Sequence, residues 1–174
     1  MRGLIRASGI MALALLASPA FAKDEAPCPA GMVCASDPQT VASAMQAAGY
    51  AAKIETDNQG DPSVTSAAAG YNFDVLFYGC EEHKQCDSLQ FRLTFIPYAN
   101  HGPEMANKWN EKKRFVQASV RPDKKMDFSY DVTTLGGLTK ANFADAVDWW
   151  AVSLGEVFKF FNENPPGEKI ETAK

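Results

Sequence analysis

Two runs of alternating residues, joined through a loop bounded by cysteines, constrain this chain more than any other feature. In the first run Tyr71, Phe73, Val75 and Phe77 alternate with Asn72 and Asp74. In the second, Leu89, Phe91, Leu93 and Phe95 alternate with Gln90, Arg92 and Thr94. Successive side chains of a strand point to opposite faces, so this period of two predicts a pair of half-buried strands. Cys80 and Cys86 bracket the connection, which predicts an antiparallel hairpin whose register a disulfide across its mouth fixes.

The rest of the chain supplies helices to cover that hairpin. Asp37 is a good N-cap with Pro38 at the first helical position, and Val41, Ala44, Met45 and Ala48 repeat at helical spacing until Gly49 ends the helix. Tyr50 to Glu55 reads as a short strand. Asp57-Asn-Gln-Gly-Asp-Pro62 is a polar turn, and it lacks the downstream Glu and alternating ligands that would make Asp57 and Asp61 a calcium loop. From Ser63 the chain extends again, with a bulge or close backbone approach at Ala67–Gly70 inside this second strand.

A short helix with Pro103 near its start carries Met105, Ala106 and Trp109 on one face. Arg114 to Arg121 forms a further strand, and Pro122–Lys125 turns it into a last one bearing Met126, Phe128, Tyr130 and Val132. Leu135–Gly137 is a linker. Thr139 then caps a long helix whose apolar stripe is Phe143, Val147, Trp150, Leu154, Val157, Phe158 and Phe161. The order is α-β-β-β-α-β-β-α. Strands in sequential runs without βαβ alternation imply an α+β fold, an antiparallel sheet of about five strands with helices packed on one face.

The start of the chain bears on the compartment. Arg2 and Arg6, the apolar run Ile10 to Ala17, Ser18-Pro19 and Ala20-Phe21-Ala22 follow one another as the parts of a secretory signal do. Residues 1–22 are therefore expected to be a cleaved signal peptide, with a periplasmic or secreted product. No Cys follows that site directly, and no later stretch is apolar enough to cross a membrane. Losing Arg2 and Arg6 takes the formal charge from −4 to about −6. Such an acidic domain has no footprint for nucleic acid or anionic lipid, and Lys108, Lys112, Lys113 and Arg114 read as a solvated basic face. Residues 23–36 are a Pro-rich irregular strap, residues 37–162 the folded domain, and residues 163–174, after Pro165-Pro166-Gly167, a disordered charged tail.

Four cysteines, Cys28, Cys34, Cys80 and Cys86, form two pairs with five residues between the members of each. An exported chain with an even count reads as disulfide-bonded. Three connectivities are formally open, and Cys28–Cys34 with Cys80–Cys86 is favoured because each pair brackets a turn-rich loop. A second reading of the same loop is a thiol or metal sensor, since Cys80, His83 and Cys86 are all zinc ligand types. The five-residue gap departs from the usual spacing of two to four, and neither pair has the C-x-x-C spacing of a redox catalyst.

Catalytic constellations are missing from the sequence. His101 lies in Asn100-His-Gly-Pro103, where a solvated loop histidine is expected, and Glu81-Glu82 point apart. No G-x-S-x-G occurs, and Gly136-Gly137 lacks the rest of a phosphate-binding pattern. No cofactor is expected, and an unrecognised hydrolase stays as a minor alternative.

Several stretches, in order and spacing, resemble the YbjN family. They are Asp61-Pro62, Gly70-Tyr71-Asn72-Phe73, Phe77-Tyr78-Gly79-Cys80, Leu89-Gln90-Phe91-Arg92, Trp109-Asn110-Glu111-Lys112-Lys113-Arg114-Phe115, and Asn142-Phe143 through Trp149-Trp150. The resemblance covers nearly all the chain after Asp37. It implies a secretion-chaperone-like α+β domain of a kind that often forms homodimers, a sensory-transduction role, and no catalytic residues. A non-enzymatic protein-interaction, regulatory or chaperone-like module with an unidentified protein partner is the resulting expectation. Trp149, Trp150 and Trp109 are the candidate partner surface; adjacent Trp149 and Trp150 diverge by about 100° on a helix and cannot both face one side of it, so either one is left for a partner or both are core, one under the sheet and one under the N-terminal strap.

Overall fold

The protein is described here by a computed structural model covering residues 27–171. The expected signal peptide at residues 1–22, the first residues of the strap and the last three of the tail lie outside the described residues. In chain order the elements are β1 (Met32–Val33), α1 (Pro38–Ala47), β2 (Lys53–Thr56), β3 (Pro62–Ala68), β4 (Tyr71–Tyr78) and β5 (Ser88–Phe95). They continue with α2 (Pro103–Asn110), β6 (Gln117–Val120), β7 (Met126–Thr133), β8 (Leu138–Thr139) and α3 (Lys140–Glu163). The fold is α+β, with a six-stranded antiparallel sheet in the order β2-β3-β4-β5-β7-β6 and a separate two-stranded pair, β1-β8.

The expected hairpin is β4–β5, with Val75 opposite Phe91 and Phe77 opposite Leu89. The expected caps also form. Asp37 accepts from the Gln39 N–H at 3.1 Å and Thr139 from the Asn142 N–H at 3.1 Å, which satisfies donors that the first helical turn leaves free. At the end of α1, Gly49 takes φ +91°, and the Gly49 and Tyr50 N–H groups return to Gln46 and Met45 carbonyls. That paired pattern is a Schellman stop, and it turns the chain from helix into β2.

Six strands replace the expected five because the irregularity at Ala67–Gly70 is a hairpin turn. Ala69 and Gly70 both have positive φ, 51° and 83°, and Ala68 pairs with Tyr71. Two left-handed residues between paired strands make the tight turn whose twist matches that of the flanking strands. The strap is more regular than expected as well: Met32 and Val33 pair with Thr139 and Leu138, beyond the Leu135–Gly137 linker. Thr134, buried between these parts, accepts from the Ala35 N–H (2.8 Å) and donates to the Asp87 carbonyl (3.1 Å). It thereby joins the strap, the start of β5 and the end of β7.

The tail is a further correction. Ala99 and Asn100 donate to the Glu168 and Pro166 carbonyls at 2.8 and 2.9 Å, the Ile170 N–H donates to Pro97 at 3.0 Å, and Tyr98 bridges Lys169. Residues 166–170 are thus laid against the segment after β5 by backbone pairing, which charged side chains pointing away do not oppose.

One face of the sheet carries the core. Phe73, Phe91 and Phe128 face the helices, and Trp150 of α3 sits at 5.6 Å from Phe73 and 5.9 Å from Phe91, ring centre to ring centre. Trp109 of α2 packs edge-on to Phe128 (4.9 Å) and Phe160 (5.5 Å). The α3 stripe differs from expectation at one position: Phe158 is 58% exposed and Phe160 is buried in its place. From Leu154 the buried line continues through Val157 to Phe160, a step of three, and Phe158 falls to the side.

Among the described residues Ala69 is the one alanine held at left-handed φ, a conformation that costs an L-residue about 1–2 kcal/mol and that asparagine tolerates better. Replacing Ala69→Asn should raise the urea midpoint by about 0.5–1 kcal/mol of stability with an unchanged m-value. A lower midpoint would show that the turn is not held as described.

Candidate functional site

The cysteines pair as expected. Cys28 stands at disulfide distance from Cys34 and Cys80 from Cys86, an arrangement that fits an oxidising compartment. Within the second ring Glu81 and Lys84 exchange backbone hydrogen bonds of 2.7 and 2.8 Å, while Glu82, His83 and Gln85 all take positive φ. Three non-glycine residues in the left-handed region are costly, and the covalent staple, which restricts the unfolded loop by about 2 kcal/mol, helps to offset that cost. With the two sulfurs bonded to each other, neither is a thiolate ligand. His83 directs Nδ1 at Asp61 (2.8 Å), and its ring lies so close to Gly60 that a Cβ there would stand 3.0 Å away. The loop is accordingly tied to the β2–β3 turn.

His101 is a correction to the sequence reading. It is 1% exposed, with Tyr98 and Phe161 against its ring at 5.2 and 6.0 Å. Nδ1 lies 3.3 Å from the Lys124 carbonyl, so in that contact it carries the proton, and Nε2 has no hydrogen-bond partner. Burial pushes its pKa below the ordinary 6.5, a shift the Lys124 hydrogen bond partly opposes. An open cleft of about 650 Å³ beside it is bordered by Glu104, Lys108, Lys124 and Glu163. Beyond the Lys124 backbone carbonyl, none of these residues hydrogen-bonds to the imidazole.

The face of the sheet away from the helices is polar. Arg121 grips Asp127 through Nε (2.5 Å) and Nη2 (2.8 Å), and Thr94 donates to the same carboxylate at 2.6 Å. Farther along, Asp74 is paired across strands with Arg92. Burial lifts the Asp74 carboxyl above its ordinary range, with the Arg92 charge opposing. A second open concavity of about 650 Å³ is bordered by Lys53, Thr65, Asn72, Asp74, Arg92 and Thr94. Of its hydroxyls, Thr65 stands opposite Asp74 across the strands and Thr94 is engaged with Asp127.

The edges of the sheet differ. The Asn110 side chain donates to the Ala118 carbonyl (3.1 Å) and accepts from the Ala118 N–H (2.8 Å), filling the outer side of β6 as a neighbouring strand would. Trp109 adds a bond from Nε1 to the Val116 carbonyl at 2.7 Å. At the other edge β2 is four residues long and presents the exposed Lys53–Glu55 ion pair, a charged guard against strand addition.

The exposed apolar surface gathers elsewhere. Trp149 is 45% exposed and Val152 60% exposed on α3, and Phe115 lies 5.1 Å from the Trp149 ring. Of the three tryptophans expected at a partner surface, Trp109 and Trp150 are buried, because their faces of α2 and α3 meet the sheet. Trp149 is the one left outside. Around it, Lys113 and Lys159 both bond Glu156, at 2.9 and 2.7 Å, and these hydrogen bonds hold its carboxyl down to about 2. The basic run expected to be a solvated face is therefore partly engaged: Lys108 pairs with Glu104 (3.3 Å), and Arg114 lies over Phe115 at 5.1 Å.

A family model described as "Putative bacterial sensory transduction regulator", YbjN, matches residues 37–163. The chain belongs to the YbjN family. The crystal structure of YbjN from E. coli, described as "a putative transcription regulator", superposes with a TM-score of 0.58 at 13% identity, covering 80% of this chain and 99% of that one. At that identity the likeness concerns the fold. No curated protein matches the sequence. Within the YbjN fold of this chain, the sequence singled out Trp149 as one of two neighbours that had to diverge, but it carried no signal for Phe115 and Val152 beside it.

The buried His101 sets a pH dependence. The folded protein holds the imidazole neutral below its ordinary pKa, so under about pH 6.5 the unfolded chain binds more protons. Stability is fully present above that pH and declines as the pH falls toward the folded pKa. Urea midpoints measured between about pH 8 and pH 5 should drop for the wild type and change less for His101→Phe. Equal slopes for the two proteins would assign the effect to other groups.

Proposed function

We propose that this chain is an exported, non-catalytic YbjN module that acts by binding protein through the ridge formed by Phe115, Trp149 and Val152. The observation that carries the reading is the exposure of these three side chains together, 38% for Phe115 and more for the other two, with the Phe115 ring against that of Trp149. Aromatic side chains of this size bring large contact area at small entropy cost and are enriched at protein interfaces. Addition of a strand is disfavoured at both sheet edges, by Asn110 at one and by the Lys53–Glu55 pair at the other. A helix face is the recognition mode that remains.

Export is supported by the signal-like residues 1–22 and by the two cysteine pairs at disulfide distance. The acidic balance, with a formal charge of −4, argues against nucleic acid as the ligand, because phosphate contacts need a basic face. A regulatory role fits the description that the family carries.

A photoreactive phenylalanine placed at Trp149 in the full chain, expressed in a bacterial cell, tests the ridge. Irradiation should yield a discrete protein adduct from that position and none from Gln90 on the polar face. Equal yields at both positions, or none at either, would remove the ridge from consideration. The intact mass of the same material should correspond to a chain starting at Lys23, with its four cysteines open to alkylation only after reduction. A full-length mass with free thiols would refute export.

A further inference from the structure

We infer that the concavity on the polar face of the sheet is a binding site for a free α-amino acid, with Arg92 receiving its carboxylate and Asp74 its ammonium group. The site lies on the face away from the helices and does not depend on the ridge.

Strand register builds the site. Lys53 stands opposite Thr65, Thr65 opposite Asp74, and Asp74 opposite Arg92. These four residues form one line across β2, β3, β4 and β5. Directly opposed side chains share a face, with Cβ atoms about 4.5–5.5 Å apart. Phe73 and Phe91 turn to the helices, so their neighbours Asp74 and Arg92 turn away. Ala52 and Ala67 border the same hollow, and their small side chains leave it open.

The charges in this hollow are not paired off. Opposite charges facing each other across two strands attract and commonly pair. Farther along the same face Arg121, Asp127 and Thr94 close such a network with hydrogen bonds. Asp74 and Arg92 make no ion pair, with each other or with any group among the described residues. Arg92 Nε is buried without a hydrogen-bond partner, a state that is uncommon and costly for a charged donor. Burial raises the Asp74 carboxyl above its ordinary range, and only the charge of Arg92 opposes that shift.

The balance of charge names the ligand. Lys53 is held by Glu55 at 2.5 Å, which leaves one guanidinium and one carboxylate side by side. An inorganic anion would be drawn to Arg92 and repelled by Asp74, and a simple amine would meet the reverse. Among the described residues no cluster of His, Cys, Asp and Glu suits a metal ion. A zwitterion satisfies both groups at once. An α-amino acid carries its carboxylate and ammonium on one carbon, which matches two side chains on adjacent strands. The guanidinium fork accepts a carboxylate with two parallel hydrogen bonds. Asn72 and Thr65 border the rest of the hollow and favour a polar side chain on the ligand.

Isothermal titration calorimetry of the mature, oxidised protein against each of the common L-amino acids tests this. At least one should bind saturably at a single site. The amine lacking its carboxylate and the acid lacking its ammonium should each bind about tenfold or more weakly, as expected for losing a charge-assisted hydrogen bond. Arg92→Gln and Asp74→Asn should lose a similar factor, whereas Gln90→Ala, on the same face outside the hollow, should not. Asp74→Asn keeps the size of the side chain, so it carries the test even where circular dichroism shows Arg92→Gln to be misfolded. Binding by none of the amino acids would overturn the inference. Equal affinity for the deaminated acid would also overturn it, because the hollow would then be an anion site on Arg92 alone. So would binding that survives Asp74→Asn unchanged. None of these outcomes alters the photo-adduct at Trp149, so the ridge and the hollow stand or fall separately.

Discussion

Trp150 lies between Phe73 and Phe91, and in doing so it fixes α3 over the two central strands of the sheet. Such aromatic contacts contribute about 0.5–1.5 kcal/mol each beyond the area they bury, and they are directional. The ring meets Phe73 near perpendicular, which sets the rotation of the helix about its own axis. Once that rotation is set, Phe143 must meet Phe91, Phe160 must meet Trp109, and Phe161 must meet Phe95. The opposite side of the helix is then presented outward with no freedom to turn. Trp149 and Val152 are exposed because Trp150 is buried.

The periphery is held by different means. The strap and the hairpin loop have few apolar side chains to contribute, and each has a cysteine pair instead. Thr134 connects the two regions through hydrogen bonds that leave its hydroxyl satisfied in a buried setting. Left-handed residues concentrate in the Cys80–Cys86 loop, where the covalent ring and the His83–Asp61 contact hold a backbone that sequence preference alone would not choose.

Features that depend on local chemistry were legible in the sequence. The register of β4 and β5 followed from the alternation of Tyr71–Phe77 with Leu89–Phe95, and the helix starts followed from Asp37 and Thr139. What escaped depends on context. Alanine seldom adopts positive φ, so Ala69 disguised a hairpin as a bulge and reduced the strand count by one. Asn100-His-Gly-Pro103 has the composition of a surface loop, yet His101 is covered, with Tyr98 and Phe161 against its ring. The tail looked disordered because its pairing is made by backbone groups, which composition does not reveal. At the ridge, helical geometry required Trp149 and Trp150 to separate but could not say which would face water. Phe115 arrives beside Trp149 from a distant part of the chain, and no local pattern announces it.

Asn110 holds both backbone groups of Ala118 with a single side chain, and the effect reaches beyond one strand. A sheet with two free edges can grow in both directions, and copies of it can stack into filaments without limit. Here one end is sealed by an amide that imitates a strand. Whatever forms at the far edge, in a crowded or partly unfolded population, has no second edge from which to continue. Growth by edge pairing therefore terminates after one step, and the chain carries in one asparagine a stop signal against fibrous assembly.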